Sequence, residues 1–356
     1  MLFRGYSVGV YCMNYQPPYT ITPVILNMVA EISESLGRLS VLEELAGQQE
    51  NNLRLRRINR IRTIQGSLAI EGNTLSEDQI TAILDGKPVI APPREVQEAR
   101  NAIKAYEQFS GWQATHKKDL LKAYQILMLG LVDDAGYYRN KGVGVMKGDK
   151  VVHMAPPADR VNSLMNDLFT WLKTSQEHAL IASSVFHYEF EFIHPFSDGN
   201  GRMGRLWQTL ILSQWKPIFK HIPVESMVFA NQADYYKAIM QSTQQTDAVP
   251  FIEFMLNQIL EACNTSFGKQ SDQVSDHASD HVTDQVKALI NVLTKQATMT
   301  ASDLMEQLHL KHRPTFRKNY LNPALQNNWI AMTQPDKPQS PTQKYRLTNL
   351  GRKLVQ

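Results

Sequence analysis

Cysteine is almost absent: only Cys12 and Cys263 occur in 356 residues. Two thiols that far apart give neither a disulfide framework nor a spaced metal pattern, so a reducing, cytoplasmic setting is expected. Long apolar runs are missing too. Nothing approaches the about eighteen residues a membrane span needs, and Met1-Leu2-Phe3-Arg4-Gly5-Tyr6 is too short and mixed for a secretory signal. Met13, ahead of Pro17-Pro18, is an alternative start. No single sign of charge dominates: 37 Lys and Arg face 34 Asp and Glu, a net +3. With 43% hydrophobic and 20% charged residues, the chain reads as globular and long enough for two domains.

The small net charge is unevenly placed. From Gln285 to Gln356 seven Lys and four Arg face Asp303, Glu306 and Asp336, a formal +8, which leaves −5 for the rest. A basic tail on an acidic body suggests a separate module able to meet an anionic polymer.

Helical periodicity dominates the body. Leu55, Ile58, Ile61, Ile64 and Leu68 form one apolar stripe on a helix running to about Glu71. Gly72-Asn73 stops it, because both residues tolerate left-handed backbone. Arg54, Arg56, Arg57, Arg60 and Arg62 fall mostly off the stripe, as a solvated basic face or a nucleic-acid contact. Further helices are expected over 95–109, 119–130, 161–174, 180–193, 201–215, 234–242 and 250–263. Residues 142–154 read as a hairpin, with Val143, Val145, Val151 and Val152 flanking a Lys147-Gly148-Asp149-Lys150 turn. Residues 271–286 repeat a four-residue polar unit and read as a linker, with a helix the alternative. His277 and His281 within it sit at metal-ligand spacing but lack other fixed ligands.

The tail gives three helix-like stretches, 286–296, 301–308 and 314–327, then strands at 329–332 and 344–347, the order of a winged helix-turn-helix. Lys311, Arg313, Arg317 and Lys318 fall on or near its third helix, for DNA or for protein contact. The expected architecture is mainly α with one hairpin. Its parts are a tail over 1–16, an N-terminal helical region over 17–110, a core over 111–263, a linker over 264–284 and the winged module over 285–356.

Chemistry concentrates in His194-Pro195-Phe196-Ser197-Asp198-Gly199-Asn200-Gly201-Arg202-Met203-Gly204-Arg205. An apolar helix carrying Leu180, Val185, Phe186, Phe190 and Ile193 must end at His194, because proline disfavours helical geometry in the residue before it. A glycine-rich loop leads into a new helix near Gly201, whose N-terminal N–H groups and dipole favour an anion. Gly199 and Gly201 let the backbone approach a phosphate closely. Arg202 and Arg205, one turn apart, offer two more phosphate contacts. Asp198 supplies a hard oxygen suited to Mg²⁺, and His194 can accept a hydroxyl proton. His187, two turns before His194, is expected to be a packed helix histidine, with a metal pair the weaker reading.

This segment resembles the signature of the Fic (Fido) family at every defining position. Ser67-Leu68-Ala69-Ile70-Glu71-Gly72-Asn73 resembles the inhibitory motif of Fic proteins that carry the autoinhibitory helix on the N-terminal side. Pro93-Arg94-Glu95-Val96, Gly136-Tyr137-Tyr138-Arg139 and Gly142-Val143-Gly144-Val145 are also similar to the family. The likeness spans about Pro17 to Cys263, and a winged-helix tail is a common companion.

The resemblance implies a helical Fic bundle with a hairpin flap. It implies a protein adenylyltransferase that uses ATP and Mg²⁺ to place AMP on a Ser, Thr or Tyr hydroxyl of a target protein or of itself. His194 would be the base and Asp198 the metal ligand. Gly199, Asn200 and Gly201 would cradle the α-phosphate, with Gly204 also in the nucleotide site. Arg202 and Arg205 would hold the β- and γ-phosphates. Val143, Gly144 and Val145 in the flap would align the target peptide, and Ser67 and Glu71 would inhibit, the Glu71 carboxylate pairing with Arg205. Rival readings are a DNA-binding regulator with the body as sensor, transfer of another nucleotide, and removal of AMP with Glu71 positioning a water. A homodimer is also expected to be possible.

Overall fold

The computed structural model describes residues 15–46, 50–147, 150–280, 284–296, 298–310, 312–326, 329–334, 340, 342–348 and 351–352; side chains within 42–52, 144–154 and 267–284 are also outside the description, as are a few in the tail. The chain divides into two compact units, Met1–Phe267 and Gly268–Gln356.

Among its described residues, the regular structure of the first unit is helical apart from one hairpin. It opens with α1 (Pro23–Ala46), α2 (Glu50–Ile70), α3 (Glu77–Leu84), α4 (Pro93–Gln108) and α5 (Lys117–Leu127). The strands β1 (Gly144–Lys147) and β2 (Lys150–Met154) follow, antiparallel, with Gly144 opposite Met154 and Lys147 opposite Lys150. Gly148 and Asp149 of the expected turn lie outside the described residues. Next come α6 (Ala158–Thr174), α7 (Ala179–Ile193), α8 (Asn200–Trp215), α9 (Val224–Ala230), α10 (Gln232–Gln245) and α11 (Val249–Asp280).

The middle of this unit is the pair α7 and α8. On α7 almost every side chain from Leu180 to Phe190 is buried, and on α8 every one from Arg202 to Ser213. Helices apolar on all sides belong inside a larger bundle, and these two are clothed by the others. Burying His187, Glu189, Arg202, Arg205 and Gln208 in that centre demands partners for each polar group. That demand shapes the site described below.

The stripe on α2 is buried at Leu55, Ile61, Ile64 and Leu68, with Ile58 half-buried. Its basic face carries ion pairs: Arg57 pairs with Asp85, Arg60 with Glu107 at 3.8 Å and Arg62 with Glu77 at 3.4 Å. The helix ends as expected at Gly72, whose φ of +89° only glycine adopts cheaply. At Gly66 it crosses α9 so closely that a Cβ would lie 2.8 Å from the Glu225 backbone. Three helices fall outside the periodicity reading: α1, α3 and α9. Helix α3 carries a full capping box, Ser76 with Gln79, a local sequence signature for its start.

Helix α11 begins in this unit and runs through Asp280, across the stretch expected to be a polar linker. His281 lies outside the described residues. Cys263 is a buried free thiol, its pKa pushed up to about 12 by burial. Among the described residues no helix is long and apolar enough to cross a membrane.

The second unit contains α12 (Asp284–Lys295), β3 (Met299–Thr300), α13 (Ala301–Gln307), α14 (Arg313–Phe316), a π-helical turn over Arg317–Leu321, α15 (Asn322–Gln326), β4 (Ile330–Met332) and β5 (Lys344–Leu347). Where a two-stranded wing was expected, β3 adds a third strand in the order β3-β5-β4, all antiparallel. Val286, Leu289, Ile290, Leu293, Leu304, Phe316, Trp329 and Tyr345 form a core of its own. Arg313, Arg317 and Lys318 are exposed; Lys311 lies outside the described residues.

Candidate active site

The site is built where α7 gives way to α8. His194 caps α7 in left-handed backbone, φ +50° and ψ +62°. The helix was expected to stop here because of Pro195, and it does, with His194 on the positive side of φ. A non-glycine residue there costs roughly 1–2 kcal/mol, so something must hold it.

Arg139 does so. Its buried guanidinium donates to the carbonyls of His194 (2.7 Å), Lys141 (2.9 Å), Pro156 (2.6 Å) and Ile193 (3.3 Å), while its own N–H donates to Pro195 (2.9 Å). Burial lowers its pKa, an expense accepted for gathering four carbonyls at one point. Residue types revealed nothing of this role; only the Gly136–Arg139 likeness drew attention to the segment.

His194 Nδ1 lies 3.4 Å from the Glu191 carbonyl, which can only accept, so Nδ1 is the donor in that contact. After it, Phe196 stacks on Tyr124 at 3.6 Å with the rings 5° from parallel. Asn200 closes the loop on itself: its Oδ1 accepts from Phe196 N–H and its Nδ2 donates to Phe196 O, both at 2.9 Å. The Asn200 side chain is thus committed to the loop's shape, and what it offers an anion is its backbone N–H at the start of α8. Gly199, at φ +79°, turns the chain into that helix, and Met128 stands where its Cβ would be.

Asp198 is half-exposed. Its Oδ1 accepts from Gly199 N–H at 2.6 Å and from Arg202 Nη2 at 3.4 Å; its Oδ2 accepts from Arg94 Nη2 at 3.3 Å. Arg202 turns its other nitrogen to Glu98 at 3.3 Å. Among the described residues there is no cluster of three or more His, Cys, Asp or Glu able to cage a metal ion.

Arg205 points the other way, toward α2. Its Nη2 donates to Glu71 Oε1 at 2.7 Å and to the Ser67 carbonyl at 3.0 Å, and its Nε to Ser67 Oγ at 3.3 Å. Ser67 and Glu71 are one turn apart, so a single helix end grips the guanidinium from two levels. Burial opposes the charge of Arg205, but Glu71 together with Tyr235 and Glu191 outweighs this and raises its pKa. Gly201 is where Glu71 fits: a Cβ there would lie 2.3 Å from Glu71 Oε1.

Gly204 faces α7, and a Cβ would meet His187 at 2.7 Å and Glu191 at 3.0 Å. His187 is wholly buried, with Nδ1 2.6 Å from Gln208 Oε1 and Nε2 3.2 Å from the Tyr235 hydroxyl. Burial pushes its pKa down to about 3, so it is a neutral packed residue. Beside it the Glu191 carboxyl is pushed up to about 8 by burial, though Arg205 draws it down. Val143 is half-buried just before β1, where Gly144 and Val145 lie; the Val145 side chain is outside the described residues.

Known proteins resemble this chain in sequence and fold. The Fic/DOC family model matches residues 114–212, and that of the Fic-like C-terminal domain matches 284–348. A Fic family protein from Desulfovibrio desulfuricans G20, known from its crystal structure, is 55% identical over 94% of this chain and 99% of its own, with a TM-score of 0.68. The chain belongs to the Fic family. Curated relatives named protein adenylyltransferase Fic include that of Aedes aegypti, 28% identical over 60% of this chain, and fic-1 of Caenorhabditis briggsae, 31% identical over 53%. The chain spans less than half the length of each, 43% and 38%. In this Fic protein the expected clasp residues Ser67, Glu71 and Arg205 meet, as do Asp198 and Arg202. The sequence reading passed over Arg94, Glu98 and Arg139 as individual residues.

Proposed function

We propose that this Fic protein is a protein adenylyltransferase, moving AMP from ATP to a Ser, Thr or Tyr hydroxyl, and that Glu71 holds it mostly off. The observation that carries the reading is the strained loop, in which His194 is pinned beside a glycine-rich helix N-terminus flanked by two arginines. The adenylyltransferase names of its relatives point the same way.

A triphosphate meets the N–H groups at the start of α8 through its α-phosphate, and Arg202 and Arg205 through its outer phosphates. Asp198, a half-exposed carboxylate and hard oxygen donor, would hold a Mg²⁺ ion that arrives with the nucleotide. That ion neutralises phosphate charge when bound. His194 Nε2 accepts the target hydroxyl proton, the oxygen attacks the α-phosphorus in line, and pyrophosphate leaves. The chain's own contribution is positioning and charge neutralisation. The hairpin β1–β2 presents an edge to which an extended target segment can add as a strand.

With Glu71 in place Arg205 is occupied, and the γ-phosphate lacks its anchor. The second unit, read as a winged helix, would deliver or control the enzyme through its exposed Arg313, Arg317 and Lys318.

The test is mass spectrometry after incubation with ATP and Mg²⁺, in native and His194→Ala protein. AMP should appear on a hydroxyl side chain of the native protein or a target, and His194→Ala should lower transfer by about a hundred- to ten-thousandfold with ATP still bound. Undiminished transfer in His194→Ala would reject the mechanism.

A further inference from the structure

Four charged side chains beside the loop form a closed ring. Asp198 accepts from Arg94 Nη2 at 3.3 Å and from Arg202 Nη2 at 3.4 Å. Glu98 Oε1 in turn faces Arg202 Nη1 at 3.3 Å and Arg94 Nε at 3.6 Å. Two guanidinium groups and two carboxylates thus alternate, and the ring is neutral. Its members differ in freedom. Arg202 is 5% exposed and Glu98 14%, whereas Asp198 is 48% and Arg94 58% exposed. The inner half is fixed, and the outer half opens to solvent at the loop.

Glu98 is itself fixed from behind: Asn73 Nδ2, two residues past Glu71, donates to its Oε2 at 2.9 Å. Neighbouring Glu95 holds the same turn through Thr74, accepting from its N–H at 2.7 Å and its hydroxyl at 2.8 Å. The Nε of Arg202, buried, has no partner. A buried donor left unpaired marks a place completed by something else.

We propose that Arg94 is a further nucleotide-binding residue, contacting the outer phosphates of a nucleoside triphosphate, and that Glu98 is a positioning residue that keeps Arg94 and Arg202 aimed there. The proposal rests on reading the loop as a polyphosphate site. When Asp198 turns to a cation carried by the nucleotide, the ring loses one carboxylate and carries a net positive charge. Arg94 Nη2 and Arg202 Nη2 both lose their partner at the same place, beside the start of α8. Phosphate oxygens replace the Asp198 oxygens on both guanidiniums, charge for charge. Glu98 stays, because its buried hydrogen bond from Asn73 and its contact with buried Arg202 do not involve Asp198. Arg94 approaches from α4, outside the segment that carries Arg202 and Arg205, so the site takes its cations from two helices.

The experiment measures equilibrium binding of ATP with Mg²⁺, and separately of AMP, to the full chain carrying Glu71→Gly, alone and with Arg94→Ala or Arg94→Lys. Arg94 lies on the exposed first turn of α4, so both variants should fold. Arg94→Ala should weaken ATP about five- to tenfold and AMP by less than about twofold, since AMP lacks the outer phosphates. Arg94→Lys should recover part of the loss. The ATP difference should shrink at about 1 M salt, as expected for a half-exposed charge. In the same background Glu98→Gln should also weaken ATP more than AMP. Unchanged ATP affinity in Arg94→Ala, or equal loss for ATP and AMP, overturns the proposal. Arg94-dependent ATP binding with no AMP transferred would sink the transferase reading and leave this one standing. Transfer with an ATP affinity indifferent to Arg94 would do the reverse, and failure to bind ATP at all would remove both.

Discussion

Replacing Glu71 by Gly removes the carboxylate 2.7 Å from Arg205 Nη2 and leaves the two contacts from Ser67, at 3.0 and 3.3 Å. A hydrogen bond between charged partners contributes about 1.5–3 kcal/mol net. Because 34% of the Glu71 side chain is exposed, the lower end of that range applies. At about 1.4 kcal/mol per factor of ten, this is about a ten- to thirtyfold shift toward a released Arg205. The initial rate of labelled AMP transfer to the protein itself, with ATP and Mg²⁺ saturating, should rise by that factor. Stability should move oppositely. Arg205 is 2% exposed and would lose its counter-charge, so unfolding should become easier by about 1–2 kcal/mol and Tm should drop by a few degrees. Gain of activity with loss of stability is the signature of a clasp. Glu71→Gln, which keeps the size and drops the charge, should fall between the two. An equal or lower transfer rate in folded Glu71→Gly protein would refute autoinhibition, whatever the fate of the transferase reading.

Gly66→Ala should lower Tm, at a cost of about 1–3 kcal/mol, because its Cβ would meet the rigid backbone of Glu225 and Ser226 at 2.8 Å; calorimetry reads this directly. Glu191 is held protonated to about 8 in the folded state, beside His187, Arg205, Glu71 and Tyr235, while its ordinary value is 4.5. Between those two pH values the folded state binds more protons than the unfolded one, so this group's contribution falls as pH rises from 4.5 to 8. Glu191→Gln should therefore gain Tm relative to the native protein more at pH 8 than at pH 5, and a pH-independent difference would contradict the burial argument. Deleting 285–356 should abolish any salt-sensitive duplex binding while sparing AMP transfer; a full-length protein without duplex affinity at low salt would leave the basic helix to protein contact.

Much of the active site was legible because its groups are consecutive. From His194 to Arg205 the order of residues is also their order in space, since a helix end, a tight turn and a helix start are local structures. The Ser67–Glu71 spacing was readable for the same reason, and family resemblance named Arg205 as its partner. The long polar segment after Cys263 shows the limit of composition: Ser, Asp and Gln repeats suggested a linker with a helix as the alternative, and α11 continues to Asp280. Composition weighs side chains, whereas helical hydrogen bonds lie in the backbone.

What the sequence by itself determined is therefore the local chemistry: where α7 must end, where glycine must admit a turn, and which arginines α8 carries in its first two turns. What only the tertiary structure decided is who answers those arginines. Arg202 meets Glu98 across 104 residues, and Arg139 gathers the carbonyls around His194 from 55 residues away. No periodicity encodes such pairings. They arise because packing α7 and α8 at the centre of the bundle strips water from charged and strained groups, and each must then find its partner on whichever helix the fold brings near.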